Sequence, residues 1–215
     1  MDINEDMIRR VAIIGGSGKA GRFLVKQVSE AGYQMRLLMR NPDKSELSDE
    51  RIEVLKGDAR DFPSIKSLLQ GCDAVLSTLR EPKGEAPIRS VAAGHVLAAM
   101  KELGIRRYIL LCGAAVDAPG DHKDFRTKLL TKFIQWTRPA IAADQQKVLA
   151  LLIRSDVEWT LVRLPTIVEE PVAGNVKVNL EKLPGGKING TDLANFLVTQ
   201  IADKQYVRKA PFVAN

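Results

Sequence analysis

The stretch Val11-Ala12-Ile13-Ile14-Gly15-Gly16-Ser17-Gly18-Lys19-Ala20-Gly21 decides the reading of this chain. Four apolar residues, Val11–Ile14, predict a buried strand, and the apolar-periodic run Phe23, Leu24, Val25, Val28 predicts a helix. Between them glycines stand at Gly15, Gly18 and Gly21. Gly15 lets the chain leave the strand in a tight turn, Gly18 lets a pyrophosphate approach the backbone, and Gly21 lets the helix pack closely on the strand. The free N–H groups and the positive end of the helix dipole then face the phosphates. A glycine-rich turn alone carries little weight. A strand before it and a helix after it supply the context that dinucleotide binding demands. Ser17, Lys19 and Ala20 share this turn and are expected against the cofactor with Gly15 and Gly18.

Outward from the turn, strand and helix patterns alternate. A helix over Lys19–Ala31 ends at Gly32, and a strand spans Gln34–Met39. A short strand follows at Ile52–Leu55, a short helix at Ser64–Gln70 and a strand at Ala74–Thr78. The helix Ile88–Leu103 carries Val91, Ala92, Val96, Leu97 and Met100 on one side, and Arg107–Leu111 reads as the fifth strand. Strands alternating with helices of these lengths predict parallel βαβ units. Beyond a loop over Ala114–Lys123, Phe125–Trp136 reads as an amphipathic helix, apolar at Leu129, Leu130, Phe133 and Trp136 and basic on its wet side. Pro139 interrupts, then a helix over Ala140–Arg154 and a strand over Trp159–Arg163 follow. Pro165–Gly190 is loop-rich, with an edge segment at Val176–Leu180. Thr191 caps a last helix, Asp192–Ala202, and Pro211–Val213 closes the chain as a strand.

The fold expected is α/β, a Rossmann-like three-layer sandwich with a parallel sheet. Residues 1–215 form one domain in this reading, with 114–138 and 165–190 as substrate-side segments.

The 215 residues carry a net charge of +6, spread along the chain, which suits a phosphate-rich cofactor and does not point to nucleic acid. No apolar run reaches about 18 residues, and the acidic start lacks the pattern of a signal peptide. A cytoplasmic protein with no membrane partner is expected. Cys72 and Cys112 are far apart and read as reduced thiols; His95 and His122 lack partners at ligand spacing and read as surface residues, so no metal is expected.

The end of the second strand selects the nicotinamide cofactor. An acid there would bond the ribose 2′-OH of NAD, whereas an arginine accommodates a 2′-phosphate. This chain has Arg40 nineteen residues beyond Gly21, with Lys44 just past it. NADP(H) is therefore the expected cofactor. Asp58, followed by Ala59, ends the third strand and either bonds the adenine amino group or closes its own turn. Thr78, Leu79 and Arg80 follow the fourth strand, at the carboxyl edge where ligands bind in such sheets.

The chain resembles the NAD(P)-binding atypical short-chain dehydrogenases, within them the flavin reductase/biliverdin reductase B group, and more loosely the NmrA-type proteins. The resemblance is carried by AIIGGSGKAGR (12–22), LLMRNPDK (37–44), KGDARD (56–61), LSTLR (76–80) and AAMKELGIRRYILLC (98–112), and in outline by residues 147–165 and 188–198. It implies that Leu79, Cys112, Gly113, Ala114, Leu164, Pro165 and Thr166 lie along the nicotinamide half. The departures are informative. Ile141 and Gln145 stand where many such enzymes carry a Tyr-x-x-x-Lys pair. Ala114 and Thr166 stand where the flavin/biliverdin reductase group has Ser and His. Asp144 and Lys147 read as solvated helix residues, so no catalytic residue is assigned. Hydride transfer to a flavin or quinone needs proximity and orientation above all, and its proton can come from water. The expectation is an NADPH-dependent oxidoreductase with a flavin- or quinone-like small-molecule acceptor, FMN or another flavin being a candidate substrate. The alternative is a non-catalytic NADP(H)-sensing or partner-binding protein of NmrA-like type.

Overall fold

Strand β1 (Arg10–Ile14) lies inside an eight-stranded sheet in the computed structural model of the protein, which describes residues 8–42, 49–81, 84–169 and 174–215. On one side of β1 run β2 (Gln34–Met39) and β3 (Ile52–Lys56). On the other run β4 (Ala74–Ser77), β5 (Arg107–Gly113), β6 (Glu158–Leu164), β10 (Phe212–Ala214) and, at the edge, β8 (Lys177–Asn179). All pairings are parallel except that of β10 with β8. Two further strands, β7 (Thr166–Val168) and β9 (Lys187–Asn189), pair with each other in parallel.

Because successive strand residues point to opposite faces, the continuous apolar run of β1 feeds two cores at once. Val11 and Ile13 pack with Leu24 and Val28 of α1 (Lys19–Glu30) and with Leu193, Leu197 and Ile201 of α6 (Gly190–Ala202). Ala12 and Ile14 pack on the other face. There they meet Leu68 of α2 (Phe62–Leu69), Val96 of α3 (Arg89–Leu103) and Leu152 of α5 (Pro139–Arg154). The expected Rossmann-like architecture is present.

Several details differ from expectation. β5 continues through Cys112 and Gly113 because β6 supplies ladder partners for both, Arg163 and Leu164. Pro139 interrupts as expected, the backbone leaving helical angles at Arg138, but the proline is itself the first residue of α5, where its missing N–H costs nothing. Asn189, not Thr191, caps α6, its side-chain oxygen accepting from the backbone N–H of Thr191 at 2.8 Å and of Asp192 at 3.3 Å. Val91 of α3 faces solvent, and the buried stripe runs instead through Ala92, Ala93, Val96, Ala99 and Met100.

The largest departure is α4 (Phe125–Thr137), packed on α5. The side expected to be buried is the exposed one: Phe125, Leu129, Leu130, Phe133 and Trp136 face outward, while Thr127 and Thr131 are buried. Polar demand sets this orientation. The Lys123 ammonium is buried just before the helix. It donates to Val116 O at 3.0 Å and to Thr131 Oγ1 at 3.4 Å, and it pairs with Asp117 at 2.8 Å. Beside it Arg163 of β6 is fully buried. Its guanidinium pairs with Asp121 at 2.6 Å, donates to Ala210 O at 2.8 Å and lies over the Phe212 ring at 3.6 Å. Buried charges need partners of this kind, and these bind the loop after β5 to β6 and β10.

Candidate functional site

The strand order reverses between β1 and β4, and a crevice opens beyond their carboxyl ends, the place where doubly wound sheets bind ligands. The turn after β1 is built on backbone proximity. Gly15 has φ +87°, and a Cβ on it would lie 2.7 Å from Leu79 N. A Cβ on Gly21 would lie 2.1 Å from Gly15 O, so only glycine lets α1 sit this close to the turn. Gly18 differs: an added Cβ would meet only Gly15 O, at 3.3 Å. Thr78 ties the end of β4 to the same turn, its N–H donating to Ile14 O at 2.9 Å and its hydroxyl to Gly15 O at 3.0 Å. Among the described residues no side chain caps α1, and no acid stands in its first turn, so its free N–H groups and positive dipole end remain available to an anion.

The crevice encloses about 320 Å³. Gly15, Ser17, Gly18, Arg40, Asp58, Ala59, Thr78, Leu79 and Arg80 line it, together with Arg60 and Glu81. Arg40 leaves the end of β2 and reaches Glu85 at 3.7 Å. Arg60 pairs with the same carboxylate, so two guanidinium groups converge at this end of the crevice. Arg60 was not anticipated. The only local signal for it is its position two residues past Asp58. Asp58 closes its own turn, accepting from Arg60 N–H at 2.8 Å and pairing with the Arg60 side chain at 3.2 Å. Ala20 is buried, and Lys19 reaches toward Glu169, just past β7, at 3.8 Å. Lys44 lies outside the described residues.

Of the residues expected along a nicotinamide, Leu79 lines the crevice, whereas Cys112, Gly113, Ala114, Leu164, Pro165 and Thr166 do not. Cys112 is buried in β5, and burial pushes its thiol up to about 12. With Leu79, Arg89 and Gln145 it bounds a cavity of about 10 Å³, room for about one water. Leu79 lines this cavity and the crevice alike. Gly113 N–H donates to Gln145 Oε1 at 3.0 Å, and buried Ala114 donates its N–H to Leu164 O at 3.0 Å. Pro165 is half-buried, and Thr166 opens β7 and is exposed. Gln145 thus holds the carboxyl end of β5, a role visible only in three dimensions.

Glu81 and Arg89 form a second unanticipated feature. Glu81 Oε1 lies 3.1 Å from Arg89 Nε, Ile88 N–H donates to Glu81 Oε2 at 3.0 Å, and Arg89 donates to Leu111 O at 3.0 Å. Burial raises the Glu81 carboxyl above the usual carboxylate range, against the opposing pull of the Ile88 N–H and the Arg89 charge. Asp144 is not a solvated helix residue: it is buried and bound by the hydroxyl and N–H of Ser90. His95 is half-buried, its ring edge-on to Phe62 with centroids 5.9 Å apart. Among the described residues no cluster of His, Cys, Asp or Glu could hold a metal ion, and no helix is long and apolar enough to cross a membrane.

Comparison with known proteins agrees with this geometry. Residues 15–204 match the family described as NAD(P)H-binding. A short-chain dehydrogenase/reductase from Veillonella parvula DSM 2008, solved in complex with NADP, superposes with a TM-score of 0.81 at 15% identity over 97% of this chain and 95% of that one. ChuY, an anaerobillin reductase from Escherichia coli O157:H7, superposes with a TM-score of 0.79 at 14% identity over 95% and 96%. In sequence, cinnamoyl-CoA reductase 1 from Petunia hybrida is 29% identical over 46% of this chain and 33% of its own length. The (4-alkanoyl-5-oxo-2,5-dihydrofuran-3-yl)methyl phosphate reductase of Streptomyces griseus is 27% identical over 76% of this chain and 50% of its own. The chain thus spans a third to a half of these two relatives. With the glycine turn, the switch-point crevice and the match over residues 15–204 in agreement, the chain belongs to the NAD(P)H-binding family, on a Rossmann fold.

Proposed function

We propose that the protein is an NADPH-dependent oxidoreductase that passes a hydride to a flavin- or quinone-like small molecule. The observation that carries the NADPH part is the convergence of Arg40 and Arg60 at the end of a crevice whose second strand ends without an acid. Paired guanidinium groups match the extra oxygens and charge of a 2′-phosphate. The turn at Gly15–Gly18 and the uncapped start of α1 suit a pyrophosphate: apart from its own chain neighbours, the one described atom within 4 Å of where a Gly18 Cβ would stand is Gly15 O. NADPH, when bound, supplies the hydride. The chain's own part is to bind, orient and shield: Thr78 fixes the turn, Leu79 presents an apolar wall, and Gln145 holds the Gly113 backbone at the end of β5. The reductase names of several relatives point the same way.

The acceptor class rests on the proton donors. Of the three tyrosines, Tyr33, Tyr108 and Tyr206, none is followed by lysine four residues later. Tyr108 is buried, and burial raises its hydroxyl well above the ordinary tyrosine value. Carbonyl reduction wants a placed acid, whereas flavin or quinone reduction wants alignment. The same feature favours a second reading, an NADP(H) sensor without turnover. The test is NADPH oxidation by the purified chain with FMN, riboflavin and simple quinones. Turnover with these and none with simple ketones is expected. Tight NADPH binding without turnover would establish the sensor, and fast ketone reduction would overturn the acceptor class.

A further inference from the structure

The outward side of α4 is unlike the rest of the surface. Phe125 and Trp136 are each 80% exposed, Leu129 and Phe133 more than half. At about 100° per residue these four fall within one sector of the helix. Arg126 stands on one flank of that sector, Lys128 and Lys132 on the other. No acid occurs from residue 125 to residue 143, while Arg126, Lys128, Lys132 and Arg138 do. Single exposed apolar residues are ordinary; an aligned row of four large ones is not. The opposite side is committed to the protein, because Thr127 and Thr131 are buried and Lys123 bonds Thr131. The helix is therefore held with its apolar row facing out.

We infer that α4 is a docking helix for an anionic lipid bilayer. The charge arrangement selects this occupant. A second copy meeting the first across a two-fold axis would press Arg126, Lys128 and Lys132 against their counterparts, and α4 carries no carboxylate to receive them. Two acids beside it are already engaged: Asp124 as N-cap, accepting from Thr127 N–H at 2.8 Å, and Asp117, which pairs with the Lys123 ammonium at 2.8 Å and accepts from Gln135 Nε2 at 3.3 Å. A bilayer surface accommodates both parts. The row of Phe, Leu and Trp enters the headgroup–acyl boundary, while the flanking Lys and Arg stems lie along it and lift their charges to phosphate. A groove of about 330 Å³ runs along the helix, lined by Phe125, Leu129, Lys128 and Lys132 and, on its inner side, by Lys123 with its partner Asp117. Lys123 anchors the start of α4 to Val116, just beyond β5, so docking brings the carboxyl edge of the sheet toward the membrane. This inference is independent of which acceptor the crevice serves.

The test uses the full chain with vesicles of phosphatidylcholine alone and of phosphatidylcholine mixed with phosphatidylglycerol, at low and high salt. Co-sedimentation with the mixed vesicles, weakened by salt and absent from the neutral ones, is expected. In a Trp159→Phe background, Trp136 emission should shift to the blue on binding. If that variant fails to fold, sedimentation of the wild-type chain decides alone. Leu129→Ser with Phe133→Ser, and separately Lys128→Glu with Lys132→Glu, should each lower vesicle affinity about tenfold or more with unchanged thermal unfolding. No binding to the mixed vesicles overturns the inference. So does vesicle binding that the Leu129/Phe133 variant leaves intact, self-association that this variant abolishes without any vesicle binding, or binding to a single-stranded oligonucleotide in place of vesicles.

Discussion

At Gly21 and Gly18 the same substitution has opposite targets. A methyl on Gly21 would stand 2.1 Å from a backbone oxygen, so α1 must shift away from β1. Gly21→Ala is expected to lower stability by about 1–3 kcal/mol, the usual cost of overpacking. Gly18→Ala meets one atom at 3.3 Å and should leave stability nearly unchanged while weakening NADPH binding. Urea unfolding and calorimetry on both variants separate the two. A parallel contrast holds for charge. A hydrogen bond to a charged group contributes about 1.5–3 kcal/mol, roughly ten- to hundredfold in affinity. Arg40→Ala should therefore cost NADPH that much and NADH little, with Arg60→Ala acting in the same direction. Four dissociation constants per variant at one fixed salt concentration check this, and equal losses for both cofactors would mean that neither arginine reads the 2′ position.

At the scale of elements, the loop between β5 and α4 is held by buried charge rather than by apolar contact. Arg163 is fully buried and Asp121 is its ionic partner. Removing one partner of a buried pair leaves the other uncompensated, and Asp121→Ala is expected to cost about 3–5 kcal/mol. Adding Arg163→Met should restore part of that loss, because the stranded charge is then gone; urea unfolding of the single and double variants reads the difference. The same charges explain what the sequence concealed about α4. Its periodicity marks two sides clearly, but the side that faces inward depends on the surface it meets. Lys123 presents an ammonium that needs oxygen atoms, and Thr131 provides one. The turn at Val11–Gly21 was legible because its strand, its glycines and the helix that follows all lie within the eighteen consecutive residues Val11–Val28. Gln145 on Gly113 and Asp121 on Arg163 join residues 32 and 42 positions apart, and no local pattern announces them.

Over the whole molecule, chain order and spatial order agree for one half of the sheet and part company in the other. β1 to β5 fill the arrangement β3-β2-β1-β4-β5 from nearby stretches of chain, and the alternation of strand and helix made this half readable. The far half is assembled across long gaps, since β10 inserts between β6 and β8, which precede it by tens of residues. Strands of three residues such as β7, β8 and β9 carry too few side chains to show a period, and the sequence revealed only the middle of them. This ordering has a consequence during synthesis. Among the described residues, those lining the crevice run from Ile14 to Ile88. A chain still on the ribosome has therefore made the described lining of this crevice long before β10 is translated, and until then β8 lacks the strand it pairs with.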